Sequence, residues 1–366
     1  MTSSDGCPYC VASRELIIGV DGMELLRDVN FPDGSSAGKR SGPIFKIVTG
    51  ATVSEIIDSR RDELRELVRE AYLRYHEGFS ANPESHFLKF PDRPRDRIIA
   101  LPARDRGGEV DRVGIKWISS FPGNLAQGLP RASAVIILNE MDTGFPVACL
   151  EASAISAART AASAALAARE LHRETEGQVL GVIGCGPIAR AVLGQLEADG
   201  WSFRRTVVHD LDAARSDTFR RGLAGETAAL SSAAAVVEES DLVLFATTAG
   251  EPHFLDATLF KPRHTVLHIS LRDLGTEVLR DAQNIVDDPV HALREKTSMG
   301  LSVELHGNSI ISGTLADLMT GEVEPDAARP RIFSPFGLGV LDIAVADFVH
   351  GIAATTGRSQ NILDFY

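Results

Sequence analysis

The run Gly181-Val182-Ile183-Gly184-Cys185-Gly186-Pro187-Ile188-Ala189 has the residue types needed to bind a pyrophosphate. It follows an apolar, strand-like segment and opens a segment with helical spacing, so Gly184 can make the tight turn and Gly186 lets the backbone approach a phosphate. Pro187 and Ile188 fall in the first helical turn, whose free N–H groups face an anion. The pattern predicts a dinucleotide site, and its alternative is a structural glycine turn.

The next apolar run, residues 206–210, ends in the acidic residue Asp210. A carboxylate roughly 20 residues beyond the glycines can accept hydrogen bonds from the adenosine ribose. Because that charge repels a 2′-phosphate, NAD is predicted over NADP as cofactor. Three hydroxyl residues at the ends of later strands are further candidates for contact with the cofactor: Thr247, Thr248 and Ser270. The alternative, nearly as well supported, is that they only form the turns that end these strands.

Alternating strand-like and helical segments surround this motif and predict how it is positioned. Over residues 177–329 the alternation is typical of a Rossmann-type parallel sheet covered by helices. Residues 151–176 are rich in Ala, Arg, Glu and Leu and predict a connecting helix that ends at Gly177. We therefore expect an α/β fold with a second, β-rich domain, formed by residues 1–150 and 330–366, for substrate binding and dimerisation.

Within that second domain the apolar spacing over residues 52–77 predicts one amphipathic helix. Strand-like runs follow at residues 98–101, 113–118 and 134–138. The C-terminal helical pattern over residues 340–354 lies outside the strand–helix alternation. We expect it to return to the β-rich domain.

Composition and charge exclude several classes of protein. The net charge is −13 and no basic run occurs, which argues against nucleic acid as a partner. No apolar run approaches the roughly 20 residues that span a bilayer, and the start of the chain lacks a secretory pattern, so we expect a cytoplasmic protein without membrane contact. No metal-ligand spacing is present. The pair Cys7 and Cys10 follows no strand, and we interpret it as incidental or as part of a mobile terminus, not as a redox site.

Several further segments resemble the ornithine cyclodeaminase/μ-crystallin family. They occur in family order at residues 114–124, 142–146, 155–163 and 336–342, with the glycine motif among them. The resemblance implies an NAD-dependent oxidoreductase acting on a small anionic amino acid. It also implies a homodimer formed through the β-rich domain.

The same resemblance implies roles for individual residues. Lys116 matches the family lysine that holds the substrate carboxylate, and Arg159 matches the arginine near the substrate and the pyrophosphate, where Thr160 can share the phosphate. Lys89 lies where many members have an arginine, and Arg93 can supply another cation. The alternative to a substrate-binding role is, for Lys116, a lysine on a strand that is exposed to water. For Arg159 the alternative is an ion pair with a purely structural role.

The sequence around Asp273 distinguishes branches of the family. Ornithine cyclodeaminases carry Asp-x-Pro-Gly-Lys after the fifth strand, whereas this chain has Ser270-Leu271-Arg272-Asp273 there. Asp273, or alternatively His268, is a candidate for proton transfer, with a structural role equally open. Together with Ser119-Ser120-Phe121-Pro122 and residues 128–134, this segment resembles the branch that forms 2,3-diaminopropionate for siderophores or peptide antibiotics. That branch oxidises N-(2-amino-2-carboxyethyl)-L-glutamate.

Two alternatives remain open at this stage. One keeps the fold but takes ornithine, alanine or a cyclic ketimine as substrate. The other is a non-catalytic, crystallin-like protein that binds nucleotide and ligand without turnover.

Overall fold

The computed structural model describes residues 42–366. The predictions on Cys7 and Cys10 lie outside the described residues. The strands are β1 Phe45–Val48, β2 His86–Phe90, β3 Arg93–Gly107, β4 Val110–Ser120, β5 Ala132–Asn139, β6 Pro146–Glu151, β7 Glu176–Ile183, β8 Ser202–His209, β9 Glu226–Ala229, β10 Leu242–Phe245, β11 Thr265–His268, β12 Gln283–Val286, β13 Ile311–Thr314, β14 Arg331–Phe333 and β15 Gln360–Ile362.

The helices separate and cover these strands. They are α1 Gly50–Ser59, α2 Arg61–His76, α3 Ser153–Leu171, α4 Pro187–Ala198, α5 Ala213–Arg221, α6 Ala233–Glu239, α7 Thr276–Arg280, α8 Pro289–Ala292, α9 Ser298–His306, α10 Leu315–Thr320 and α11 Gly339–Thr355. Within residues 42–366 no helix is both long enough and apolar enough to cross a bilayer.

The second sheet is the predicted parallel sheet. Its eight strands lie in the order β13-β12-β14-β11-β10-β7-β8-β9, and all the pairings are parallel. Helices on both sides bury the central strands, so every residue of β10 and β11 is buried, as their continuous apolar sequences require. The chain runs from β7 outward to β9 and then crosses to β10 on the other side of β7. Ligands of such sheets bind at this switch point, outside the carboxyl ends of the strands.

The first sheet is the predicted β-rich part of the chain. Its seven strands lie in the order β15-β1-β6-β5-β4-β3-β2, antiparallel except for the parallel pair β1 and β6. Helix α11 packs across β3, β4 and β5 and against α2 and α3. The C-terminal helix therefore lies against this sheet.

Three predicted boundaries are wrong in detail. The helix expected over residues 52–77 is broken at Arg60, whose backbone is not helical (φ −138°, ψ 33°) and separates α1 from α2. The connecting helix ends at Leu171, because Arg173 takes a left-handed conformation (φ 66°), and Gly177 lies inside β7. Strand β14 pairs with β11 and β12, so the parallel sheet continues past residue 330. The division into domains otherwise stays a prediction.

The connecting helix α3 links the two sheets. It contacts α2, α4 and α11 as well as β5, β11 and β14. Alanine dominates the buried residues of this helix, and the small side chains let neighbouring elements approach it from several directions. Polar residues carried by α3 are thereby fixed between the first sheet and the strand ends of the second.

Candidate active site

Lys116 lies on β4 with its side chain in the interior, only 2% exposed. Its Nζ donates a hydrogen bond to Oδ2 of Asp342 at 2.5 Å and lies 3.4 Å from Oγ of Ser156. These three residues belong to β4, α11 and α3, respectively. The alternative interpretation of the sequence, in which Lys116 is exposed to water, is therefore wrong.

Asp342 also accepts a hydrogen bond from Arg159 of α3. The distance from Arg159 Nε to Asp342 Oδ1 is 3.1 Å, and the arginine side chain keeps 12% exposure while the aspartate has none. One carboxylate is thus shared by two cations. Buried charges are costly unless they are paired. The buried carboxylate of Asp287 also interacts electrostatically with Arg159, but Asp342 is the carboxylate that contacts both cations, so a substrate carboxylate can give them a second direct partner.

The surroundings of Lys116 make its ammonium group less stable than in water. Burial lowers the pKa of Lys116 to about 8; the negative charge of Asp342, second in size, raises it, and the positive charge of Arg159 adds to the lowering. The lysine can therefore change protonation state near neutral pH. This property suits a group that both binds an anion and exchanges a proton.

The turn before α11 holds Arg159 in place. Asp287, at the end of β12, accepts hydrogen bonds from the backbone N–H groups of Phe336 at 2.9 Å and of Gly337 at 2.5 Å. Gly337 has φ of 99°, and a Cβ at this position would lie 2.6 Å from Nη1 of Arg159. Asp342, Asp287 and Gly337 were not assigned to the site from sequence, although Gly337 and Asp342 belong to the segment at residues 336–342 that carried the family resemblance.

The glycine motif forms the turn between β7 and α4. Gly184 has φ of 90°, and a Cβ there would lie 2.6 Å from the carbonyl oxygen of Ala246, so the turn packs directly on the end of β10. A Cβ on Gly186 would meet no atom within 4 Å, which leaves open space over the first turn of α4, where Pro187 and Ile188 lie. This open space above free N–H groups fits a pyrophosphate.

Asp210 follows β8 and supports the glycine turn. Its Oδ2 accepts a hydrogen bond from the backbone N–H of Cys185 at 2.8 Å, and its Oδ1 accepts one from Asp212 N at 3.0 Å. Burial, with the charge of Asp210 second, raises the pKa of the Cys185 thiol to about 12, so this cysteine stays protonated. Asp210 thus lies beside the glycine turn, and its binding to a ribose stays a prediction.

Asp273 joins the ends of β10 and β11. It is fully buried, with Thr247 Oγ1 donating to Oδ1 at 2.5 Å and Ser270 Oγ donating to Oδ2. Nε2 of His268 lies 3.3 Å from Oδ2 and 3.1 Å from the amide nitrogen of Asp273. Burial raises the pKa of Asp273, but the bonds with His268, Ser270 and Thr247 outweigh it and leave the pKa below its ordinary value.

These contacts favour a positioning role for Asp273 over proton transfer to a substrate. They also engage the hydroxyl groups of Thr247 and Ser270, which were predicted to contact cofactor, whereas Thr248 is exposed. Thr160 donates its hydroxyl to the carbonyl oxygen of Ser156 at 2.7 Å. Cofactor contacts by these four residues stay predictions.

Lys89 and Arg93 lie apart from the Lys116 cluster. Lys89 is 61% exposed and its Nζ lies 2.8 Å from Glu295 Oε2. Arg93 is 58% exposed and pairs with Asp96 at 2.7 Å. Each cation already has a carboxylate partner, so these contacts do not support the predicted roles in substrate binding.

One group of potential metal ligands occurs in the described part of the chain. His76, Asp317 and Glu322 place ligand atoms within 4.8 Å of one another, at the end of α2 and beside α10. The group is separate from Lys116, Arg159 and the glycine turn.

Comparison with known proteins places the chain among amino-acid oxidoreductases. The sequence profile described as "Ornithine cyclodeaminase/mu-crystallin family" matches residues 47–357. N-((2S)-2-amino-2-carboxyethyl)-L-glutamate dehydrogenase of Staphylococcus aureus is 31% identical over 279 residues, covering 73% of this chain and 81% of that protein. Alanine dehydrogenase of Archaeoglobus fulgidus is 29% identical over 335 residues, covering 87% and 98%. The structure of an archaeal alanine dehydrogenase dimer with bound NAD matches with a TM-score of 0.79 at 25% identity, covering 88% of this chain and 100% of that chain.

The two glycines of the turn give a matched pair of substitutions. Gly186→Ala places its methyl group in the open space over α4, so we expect a folded protein whose NAD affinity falls at least about tenfold. Gly184→Ala forces its methyl group against the Ala246 backbone, so we expect a lower melting temperature as well. Calorimetric NAD titration and thermal unfolding of both variants test this, and unchanged NAD affinity in Gly186→Ala would contradict the assignment.

The carboxylate of Asp210 gives a second prediction. Asp210→Ser removes the charge that disfavours a 2′-phosphate. Arg215, whose Nη1 lies 3.6 Å from Asp210 Oδ1, then keeps Asp212 as its partner at 3.7 Å and can also bind that phosphate. We expect the ratio of NADP to NAD affinity to rise about tenfold or more, measured by titration with each nucleotide. Asp217→Ser, an exposed acid on the same helix as Arg215, is the control. A ratio that stays constant in Asp210→Ser would reject the ribose role.

Proposed function

The chain belongs to the ornithine cyclodeaminase/mu-crystallin family, and from this premise we propose that it is an NAD-dependent dehydrogenase of N-(2-amino-2-carboxyethyl)-L-glutamate. The products are 2-oxoglutarate and L-2,3-diaminopropionate. The observation that carries the proposal is the cluster of Lys116 and Arg159 around Asp342, whose two cations share a single carboxylate. Similarity to the Staphylococcus aureus dehydrogenase supports this substrate within the family.

The chain's own residues bind and orient the substrate in this reaction. Lys116 and Arg159 hold the carboxylate beside the carbon–nitrogen bond that is oxidised, because a fixed pair of cations sets both its position and its orientation. NAD, held at the glycine turn of residues 184–188, would supply the acceptor for the hydride that leaves the glutamate Cα. Loss of the hydride and of the N–H proton leaves a carbon–nitrogen double bond, and addition of one water splits it into the 2-oxo acid and the diamine.

Lys116, in the ammonium form that binds the substrate carboxylate, is also our candidate for donating the proton that the departing amine takes up in imine hydrolysis. Its pKa of about 8 lets it exchange a proton near neutral pH, and its Nζ is already held by Asp342 and Ser156. Asp273 was an equal candidate from sequence, but it is fully buried and both of its carboxylate oxygens accept hydrogen bonds from Thr247 and Ser270. We assign Asp273 to positioning the ends of β10 and β11.

A second candidate function is dehydrogenation of a smaller amino acid. It is favoured by the similarity to the alanine dehydrogenase of Archaeoglobus fulgidus, which extends over more of the chain. Alanine offers one carboxylate, which Lys116 and Arg159 satisfy without further cations. The two functions therefore differ in the number of carboxylates that the protein must bind.

We further propose a homodimer formed through the outer face of the first sheet. Trp117 is 44% exposed, and its cross-strand partner Val135 is 37% exposed, with exposed Leu88 on β2. An aromatic residue among exposed aliphatic ones is typical of an interface. The archaeal alanine dehydrogenase that matches this chain is a dimer. Cytoplasmic location and supply of diaminopropionate to a siderophore or peptide antibiotic stay predictions.

The substrate proposal is tested by following NADH formation with N-(2-amino-2-carboxyethyl)-L-glutamate, alanine and ornithine. We expect turnover of the glutamate adduct, with 2-oxoglutarate and diaminopropionate identified by mass spectrometry. Lys116→Ala should lose at least about 100-fold in kcat/KM while NAD affinity stays within about twofold, because the lysine binds substrate and not nucleotide. Lys261→Ala, at an exposed turn, is the matched control. Turnover of alanine or ornithine alone would reject this substrate, and no turnover of any amino acid would favour a binding protein.

The pKa of Lys116 predicts how activity depends on pH. Substrate binding needs the ammonium form, so kcat/KM should fall above about pH 8, by as much as about tenfold per pH unit. Asp342 raises this pKa, so in Asp342→Asn the fall should begin at lower pH. Asp347→Asn, an exposed acid on the same helix, should keep the original profile. An Asp342→Asn profile that does not move, in protein shown by circular dichroism to be folded, would exclude Lys116 as the titrating group.

A further inference from the structure

Three arginines that the proposed site does not use come together at the ends of β3 and β4. Arg97 lies on β3 directly opposite Ser120 of β4. Arg131 precedes β5, and its Nη1 donates to Ser120 Oγ at 2.8 Å. Arg131 is therefore anchored on the serine that lies opposite Arg97, and the charge of Arg97 acts on Arg131.

Arg272 follows a strand of the second sheet and lies near Arg97. It belongs to the loop after β11, and its Nη2 donates to the backbone carbonyl of Glu295 at 2.7 Å. The carboxylate of Glu295 pairs with Lys89, which is the cross-strand partner of Arg97. The group formed by Arg97, Arg131 and Arg272, here called the distal arginine cluster, thus spans both sheets.

The distal arginine cluster has cations but no carboxylate of its own. Within residues 42–366 none of the three guanidinium groups lies within ion-pair distance of an aspartate or glutamate side chain, and all three residues are half-buried. Burial and then the charge of Arg97 lower the pKa of both Arg131 and Arg272, although the negative charge of Glu295, which pairs with Lys89, acts in the opposite direction on Arg272. Half-buried like charges repel one another, so an anion bound among them would stabilise the arrangement.

The cluster lies on the same face of the sheet as Lys116. Side chains two and four residues apart on a strand point to one face, so Ser120 shares the face of Lys116 at a spacing of about 13 Å along β4. Arg97 and Leu101, the partners of Ser120 and Lys116 on β3, share it too. The long side chains of Arg97 and Lys116 can thus approach one extended ligand from its two ends.

We propose that the distal arginine cluster is a second carboxylate subsite, in which Arg131 and Arg272 flank Arg97 and bind a carboxylate remote from the reacting carbon. This inference rests on the proposed function and specifies how a substrate with several carboxylates is recognised. Lys116 and Arg159 hold the carboxylate beside the oxidised carbon, and the distal cluster rejects amino acids that lack a second acid. Alanine, with a single carboxylate, leaves the cluster without its anion.

The test compares 2-oxoglutarate with 2-oxovalerate, which has the same chain length but a methyl group in place of the distal carboxylate. Both are titrated calorimetrically into the full-length protein saturated with NADH. We expect 2-oxoglutarate to bind at least about tenfold more tightly. Arg131→Gln and Arg272→Gln should each reduce that preference about tenfold and leave 2-oxovalerate affinity unchanged.

Arg173→Gln is the control, because Arg173 is exposed and forms its ion pair with exposed Glu324. Thermal unfolding of each variant shows whether it is folded, and the conservative Arg131→Lys should recover part of the preference. Equal affinity for the two 2-oxo acids, or variants that weaken both equally, would overturn the subsite. A preference for 2-oxoglutarate without turnover of the glutamate adduct would instead overturn only the proposed substrate.

Discussion

The site depends on one buried interaction, in which Asp342 accepts hydrogen bonds from both Lys116 and Arg159. The three residues come from different elements: β4, α3 and α11. Leaving any of these charges buried without its partner is costly, so the interaction selects the one arrangement of the first sheet, the connecting helix and the C-terminal helix that satisfies all three. The return of α11 to the first sheet is therefore a requirement of the site as well as of the core.

The second sheet supplies the other half of the site through its strand ends. The turn at Gly184 packs on the end of β10, and Asp273 links the ends of β10 and β11 through Thr247 and Ser270. Asp287, at the end of β12, holds the turn at Gly337 that leaves room for Arg159. Backbone contacts and buried carboxylates thus fix the carboxyl edge of the sheet before any ligand binds, and this preorganisation lowers the cost of binding.

Local patterns in the sequence predicted what local physics determines. The glycine turn, the parallel strands and the Ala-rich connecting helix follow from conformational preference and hydrophobic spacing, which act over a few residues. The pairing of side chains distant in sequence could not be predicted in this way. Lys89 and Arg93 look like substrate cations in the sequence, yet they pair with Glu295 and Asp96, whereas Asp342 was recognised only as part of a motif. The role of a charged side chain can therefore be assigned only when the residue that pairs with it is known.

The balance of buried charge connects the fold with the choice of substrate. The whole chain has a net charge of −13, yet Lys116 and Arg159 share one carboxylate, and the distal arginine cluster has none in the described residues. At physiological ionic strength charges farther apart than roughly 8 Å are largely screened in solvent, so these local cations, and not the global charge, determine what binds. A ligand with carboxylates at both ends balances both groups of cations at once. A ligand with a single carboxylate balances only one of them, and this difference in electrostatic free energy is the physical basis on which the protein can distinguish the two.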